Sequence, residues 1–290
     1  MQIPAGSVPI ERPCLYLVAT PIGQLADVGL RALAVLEACD LVLAEDTRIT
    51  RRLLDHYAIA QTLSAVHEHN ERDVAARLVE RIVREALTVA LVSDAGTPLV
   101  SDPGYPLVRA ALAAGLTVRA VPGPCAALAA LCVSGLPSDR FAFEGFLPHK
   151  DAAARSALTA LAAEPRTLVL YESPRRVRRT LVLLAELVEP SREICVAREL
   201  TKRHETLYRG TVAEVLAMLD ADAHGATGEF VLVVAPAPPR VAADEQVESL
   251  LSALAPHLSR SRAVDVAASV LAKPRNEVYR LALLVEAFGD

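Results

Sequence analysis

Gly/Pro turns or clustered polar side chains, some able to move a proton or hold a charge, stand at five places in the first 126 residues, each directly after a short aliphatic run. The stretches are Thr20-Pro21-Ile22-Gly23-Gln24-Leu25, Glu45-Asp46-Thr47-Arg48, His67-Glu68-His69-Asn70, Ser93-Asp94-Ala95-Gly96-Thr97-Pro98 and Pro122-Gly123-Pro124-Cys125-Ala126. A carboxylate or imidazole there can act as a general base, and a cation can stabilise a developing oxyanion. Asp46, Arg48, His67 and His69 are the candidates, with Lys202 in the later ARELTK segment. Each has a plainer reading. Asp46 would cap the helix containing Arg51 and Arg52, a histidine after a strand is often a surface loop residue, and Lys202 would be a solvated charge. The Gly/Pro loops allow close backbone approach to a ligand but bring no basic residue for phosphates. GxGxxG and GxxxxGK[ST] are both absent, so a phosphate-free ligand suits these loops better than a dinucleotide or triphosphate.

Those loops need elements to hold them. Leu15–Ala19, Leu41–Ala44, Leu63–Val66, Val89–Val92 and Thr117–Val121 read as strands, rich in Val and Leu and ended by turn residues. Amphipathic stretches such as Glu71–Glu85 lie between them and read as helices. The alternation predicts right-handed crossovers and a mostly parallel sheet over Pro13–Ser134, with ligands beyond the carboxyl ends of the strands. Gly135–Lys150 (GLPSDRFAFEGFLPHK) reads as a linker. A second α/β block follows over residues 151–235, with helices Asp151–Ala163, Arg175–Leu187 and Val212–Leu219 and strands Thr167–Tyr171, Glu193–Ala197 and Glu229–Val234. Residues 244–290 read as a helical tail, with Lys273-Pro274-Arg275 as a turn.

Hydrophobic residues make up 52% of the 290, enough for a sizeable core, and with aromatics at 4% that core must be aliphatic. The five cysteines are odd in number and lack metal-ligand spacing, so reduced thiols and no metal site are expected. The first twelve residues lack a cationic segment followed by an apolar one, and no apolar run approaches a membrane span. A cytoplasmic protein with no membrane partner is therefore expected.

LYLVATPIGQL, LAEDTR, VSDAGTPLVSDPGY, VPGPCA, GLPSDRFAFEGFLP, LYESPRR and ARELTK, in this order, closely resemble the ribosomal small-subunit RNA (cytidine-2′-O)-methyltransferases of the tetrapyrrole methylase superfamily. The resemblance covers about Leu15 to Val234; Gln24 departs from it, where the family more often has Asn. It implies two α/β domains with S-adenosylmethionine in the cleft between them, a homodimer, and 16S RNA of the small ribosomal subunit as partner. Carried over by motif, Pro21 would face the cofactor, and Ala95, Gly96, Thr97 and Val100 would form its principal loop. Cys125, Ala126, Glu172 and Gly210 would complete the pocket. Asp94, beside that loop, is the natural carboxylate for the ligand's ammonium or ribose, the competing reading being a turn or helix cap. On the acceptor side, Asp46, Arg48, His69 and Lys202 are the residues to act on the ribose hydroxyl or its alkoxide.

A net charge of −5 sits awkwardly with an RNA partner. Local clusters offset it: Arg48, Arg51 and Arg52; Arg175, Arg176, Arg178 and Arg179; Lys202 and Arg203; and Arg260, Arg262, Lys273, Arg275 and Arg280 in the tail. Helical spacing would put Arg175, Arg178 and Arg179 on one face, a geometry for following a phosphate backbone. The rival readings are a precorrin-type tetrapyrrole C-methyltransferase, and a non-catalytic RNA- or ligand-binding protein on the same scaffold.

Overall fold

The aliphatic runs of the first half become five strands: β1 (Cys14–Val18), β2 (Leu41–Ala44), β3 (Leu63–Ala65), β4 (Thr88–Leu91) and β5 (Thr117–Val121). These are from a computed structural model of the protein, which describes residues 8–66, 71–238, 244–285 and 288. The strands pair in parallel in the order β3-β2-β4-β1-β5. Their burial follows their place: β2 and β4 are buried at every residue, while the edge strands β3 and β5 are largely open. A central parallel strand has helices on both faces and so needs an unbroken apolar sequence. Those helices are α1 (Leu30–Ala38), α2 (Thr47–His56), α3 (Glu71–Arg84), α4 (Tyr105–Ala113) and α5 (Ala126–Ser134).

The second half contains β6 (Phe141–Phe146), α6 (Asp151–Leu161), β7 (Thr167–Glu172), α7 (Val177–Leu187), β8 (Glu193–Arg198), β9 (Thr206–Thr211), α8 (Val212–Ala221) and β10 (Phe230–Val234). Its sheet runs β6-β7-β10-β8-β9, and only the β6–β7 pair is parallel. Two expectations are corrected here. The segment Gly135–Lys150 is not simply a linker, because Phe141–Phe146 hydrogen-bonds to β7 as an edge strand with a bulge between Phe143 and Gly145. The bulge and flanking Gly and Pro hid that pattern. Strand β9 went unread because its TLYRGT sequence is an edge, half-open and neither apolar nor cleanly alternating.

The two sheets share a core. Ala127, Ala130 and Leu131 of α5, with Ile22, pack against Val169, Cys195, Ala197, Val231 and Val233 of the second sheet. Helix α5 is apolar all round, as a helix buried between layers must be. The first 237 residues accordingly form one compact unit.

Residues 238–290 form a second unit of α9 (Asp244–Leu254), α10 (Arg260–Val270) and α11 (Arg275–Ala282) around Val247, Leu251, Val264 and Val278. Lys273 is buried and its ammonium contacts Asp244, so it ties the α10–α11 turn to α9. Among the described residues, no helix is long and apolar enough to cross a membrane.

Candidate active site

The loops after β1 and β4 lie side by side because those strands are neighbours in the sheet. They are joined by a two-way backbone bridge, Thr20 N–H to Gly96 O at 2.8 Å and Gly96 N–H to Thr20 O at 3.0 Å. The Thr20 hydroxyl adds a hydrogen bond to Ser93 O at 3.1 Å. Gly96 has φ +84°, and a Cβ there would stand 3.3 Å from Ile22 Cγ2. Seven non-glycine residues among those described have positive φ. Ala58, Ala86 and Ala272 follow helix ends, where the left-handed conformation is routine. The other four are Leu99 and Ser101 in the loop after β4, and Glu199 and Thr201 in ARELTK. Such strain, about 1–3 kcal/mol per residue, persists only where surroundings impose it.

Above these loops opens a cavity of about 340 Å³, within the usual size of a small-molecule site. Asp94, Ala95, Gly96, Thr97 and Val100 line one side, with Ser101 and Asp102 further along the same loop. Ile22 comes from the loop after β1, and Ala126 is the first residue of α5. The opposite wall is the second sheet: Phe146 of β6, Tyr171 and Glu172 of β7, and the β10 start from Glu229 to Val231. Gly145, at the β6 bulge with φ +62°, lets that strand press on the β4 loop, since a Cβ there would meet Ser101 Oγ at 2.9 Å.

Among the described residues, four carboxylates line this space and no Lys, Arg or His does. Glu172 is fully engaged: it accepts from Ser173 N at 2.7 Å and Thr180 Oγ1 at 2.7 Å, and pairs with Arg176 Nη2 at 2.8 Å. Glu229 pairs with Lys202 Nζ at 3.1 Å. Asp94 accepts the Asp46 N–H at 2.9 Å, and burial raises its pKa against that bond's pull. Asp102 is pushed up to about 7 by burial first and by repulsion from Glu45, with the Ser93 hydroxyl opposing.

Of the expected cofactor residues, Asp94, Ala95, Gly96, Thr97, Val100, Ala126 and Glu172 line the cavity; Pro21, Cys125 and Gly210 do not. Pro21 is buried beside Ile22, which does. Cys125 is the N-cap of α5, and the next N–H but one, that of Ala127, donates to the Tyr171 hydroxyl at 3.2 Å. Gly210 lies on edge strand β9, where a Cβ would strike Glu214 Oε2 at 2.8 Å. Its glycine leaves room for the Thr211–Glu214 capping box of α8. Sequence reading passed over Asp102, Phe146, Tyr171 and Glu229. Asp102 stands inside SDPGY, where a second polar turn close behind Ser93-Asp94 is the available signal.

The expected catalytic residues meet different ends. Asp46 caps α2 by accepting the Arg48 N–H at 2.8 Å, and is held to about 2 by the Arg48 side chain and that bond. So acidic a carboxylate is a poor base near neutrality, and the helix-cap reading holds. The Arg48 side chain points outward, 85% exposed. Lys202 is clamped by Glu199 Oε1 at 2.9 Å and by Glu229. Burial would lower its pKa, but both carboxylates outweigh that and hold it charged. A lysine held charged in this way is a poor base near neutrality. His67 and His69 lie outside the described residues. None of the catalytic candidates that are described lines the cavity itself.

The arginine stripe on α7 is also corrected. Arg175 precedes the helix, Arg176 is turned to Glu172, Arg178 pairs with Asp220 at 2.8 Å and Arg179 with Asp151. Acidic residues from α8 and α6 reach this face, which spacing along one helix could not reveal. In the described part, no group of His, Cys, Asp and Glu is arranged to hold a metal ion.

This cavity, walled by a parallel sheet's loops and a mixed sheet, is the setting in which family likeness can be judged. Residues 14–216 match the model of the tetrapyrrole (corrin/porphyrin) methylases, and the chain belongs to that family. Within it, the chain is 48% identical over 266 residues to ribosomal RNA small subunit methyltransferase I of Xylella fastidiosa (strain Temecula1), covering 91% of this chain and 97% of that protein. The protein of that name from Escherichia coli O157:H7 is 46% identical over 273 residues, covering 93% and 94%. The structure of uroporphyrin-III C-methyltransferase from Thermus thermophilus complexed with S-adenyl homocysteine is similar at a TM-score of 0.53 and 20% identity, over 76% of this chain and 96% of that one. That last likeness speaks for the fold alone.

Proposed function

We infer that this protein methylates the ribose 2′-oxygen of a cytidine in 16S RNA of the small ribosomal subunit, with S-adenosylmethionine bound in the cavity as methyl donor. The observation that carries the donor assignment is the lining, which has Asp94 and Asp102 outside any salt bridge, no cation among the described residues, and the Gly96 backbone at close range. Such a lining suits a ligand with a sulfonium and an ammonium and repels phosphates. The donor supplies an activated methyl group. The chain's own residues would enclose it: Gly96 and Ala95 would leave room for its body, Asp94 would face a cationic group, and Phe146 and Tyr171 would exclude water. The RNA substrate rests on near full-length identity of 46–48% with small-subunit RNA methyltransferases, over motifs on both sides of the cavity.

Ion pairing leaves few free cations on α7, so bare RNA is a poor ligand and a shaped ribonucleoprotein surface a better one. The helical unit of residues 238–290 would dock the subunit. A cytoplasmic setting follows from that substrate. A homodimer follows from the family resemblance, with the open β5 edge and exposed Leu128 and Val133 of α5 as available surface.

Labelled methyl transfer tests this: assembled small subunits should be labelled far better than naked 16S RNA. The product should resist alkaline cleavage at one cytidine. Label on a base, or on a precorrin in place of RNA, would overturn the reading. A chain ending near Ala235 should keep S-adenosylmethionine affinity and lose subunit binding; equal subunit binding would refute the docking role.

A further inference from the structure

We propose that Asp102 is the catalytic residue that takes the proton of the acceptor hydroxyl, an inference that rests on the methyltransferase reading above. The argument is by disposition of the cavity's acids. Glu172 is spent on Arg176, Thr180 and Ser173, and Glu229 on Lys202. Asp94 takes the Asp46 N–H at the mouth of the β4 loop. Asp102 has the Ser93 hydroxyl as its neighbour and no cation partner among the described residues. It is carried by the segment between two left-handed residues, Leu99 and Ser101, and Gly104, so backbone strain is invested in its placement.

Among the described residues, the groups facing Asp102 are Glu45 just after β2, Asp94 and Ser93 after β4, and Tyr171 of β7. None is a cation, so burial and like charge weaken the acid and leave a carboxylate basic enough to accept a proton near neutrality. A base matched to the working pH is what a hydroxyl acceptor needs as it attacks. In the step, the acceptor oxygen bonds to the methyl carbon, and the carbon–sulfur bond breaks with its electron pair going to sulfur. The hydroxyl proton passes to Asp102, which then releases it to water. Charge balances, since a sulfonium becomes a neutral thioether as a carboxylate becomes a neutral acid.

The test uses full-length protein and assembled small subunits under single-turnover conditions. Wild-type rate should rise tenfold per pH unit below about 7 and level off above it. Asp102→Asn should lower the plateau rate by roughly 10²–10⁴-fold and abolish the inflection, leaving S-adenosylmethionine affinity within about threefold. Glu45→Gln should shift the wild-type inflection to lower pH, since a like charge is removed. A separate readout needs no donor or substrate. The folded-state pKa of Asp102 is raised, so the stability tied to its proton is fully present below the unfolded value and lost as pH rises through about 7. Asp102→Asn should therefore melt a few degrees above wild type at pH 8 and level with it near pH 4. An unchanged rate profile in Asp102→Asn, or a large loss of donor affinity with normal turnover at saturation, overturns the assignment. Failure of the wild type to label subunits overturns the methyltransferase reading, and this inference with it.

Discussion

The carboxylates that line the cavity divide by the sheet that supplies them. Glu172 and Glu229, from the mixed second sheet, are neutralised by Arg176 and Lys202. Asp94 and Asp102, from the loop after a parallel strand, are in no salt bridge among the described residues, and Asp94 feels only the more distant charge of Arg48. A parallel sheet ends its strands in loops that owe nothing to the ladder, so their side chains are free to face a ligand. In the second sheet the same residues must also secure strands and helix starts, as Glu172 does by tying β7 to the first turns of α7. The difference teaches that acids of one type in one cavity can hold architecture on one wall and do chemistry on the other.

The largest effect should come from the wall that holds architecture. Glu172→Ala leaves Arg176, 13% exposed, without its carboxylate and should cost about 3–5 kcal/mol of stability. Thermal or urea unfolding reads this, and a near-normal melt would show that Glu172 serves the ligand instead. Gly96→Val tests the facing wall. It should weaken S-adenosylmethionine binding by roughly 10²-fold or more by filling the cavity. Since Gly96 has φ +84°, it should also cost about 1–2 kcal/mol of stability, so the fold is not fully spared. Calorimetry showing normal affinity would remove Gly96 from the site.

Lys202→Met comes next, with a loss of about 1–3 kcal/mol as Glu199 and Glu229 are left facing one another. Methyl transfer should slow in proportion to any disorder of Glu229, and a variant of full stability and full rate would break the clamp assignment. Smallest is Arg48→Ala. Its guanidinium is exposed, so the melting temperature should not move, and only subunit affinity at low salt should fall. Salt-independent binding by this variant and the wild type alike would take Arg48 out of the RNA-facing surface.

Much of the first sheet was legible. The strands at Leu41–Ala44 and Thr117–Val121 stand where their aliphatic runs put them, and SDAGTP became the cavity's principal loop. Strand β6 and the wall residue Phe146 were not, because a Gly bulge between phenylalanines looks like a linker until a partner strand is known. The basic clusters misled for a related reason. Arg178 and Arg179 have their spacing in the sequence, but Asp220 and Asp151, their partners, come from other helices.

The sequence by itself determined the strand–loop–helix order, the Gly/Pro loops at strand ends and the family motifs. All of these are local, because they depend on period, turn chemistry and residues in register along the chain. Tertiary structure decided which acids stay unpaired. Glu229 and Lys202 are 27 positions apart and meet only through the ARELTK loop, and Asp102 has its pKa raised by burial first and then by Glu45, 57 residues earlier. Electrostatic character is set by every charge and by the solvent excluded around a group. It therefore belongs to the assembled cavity and cannot be read from any one segment.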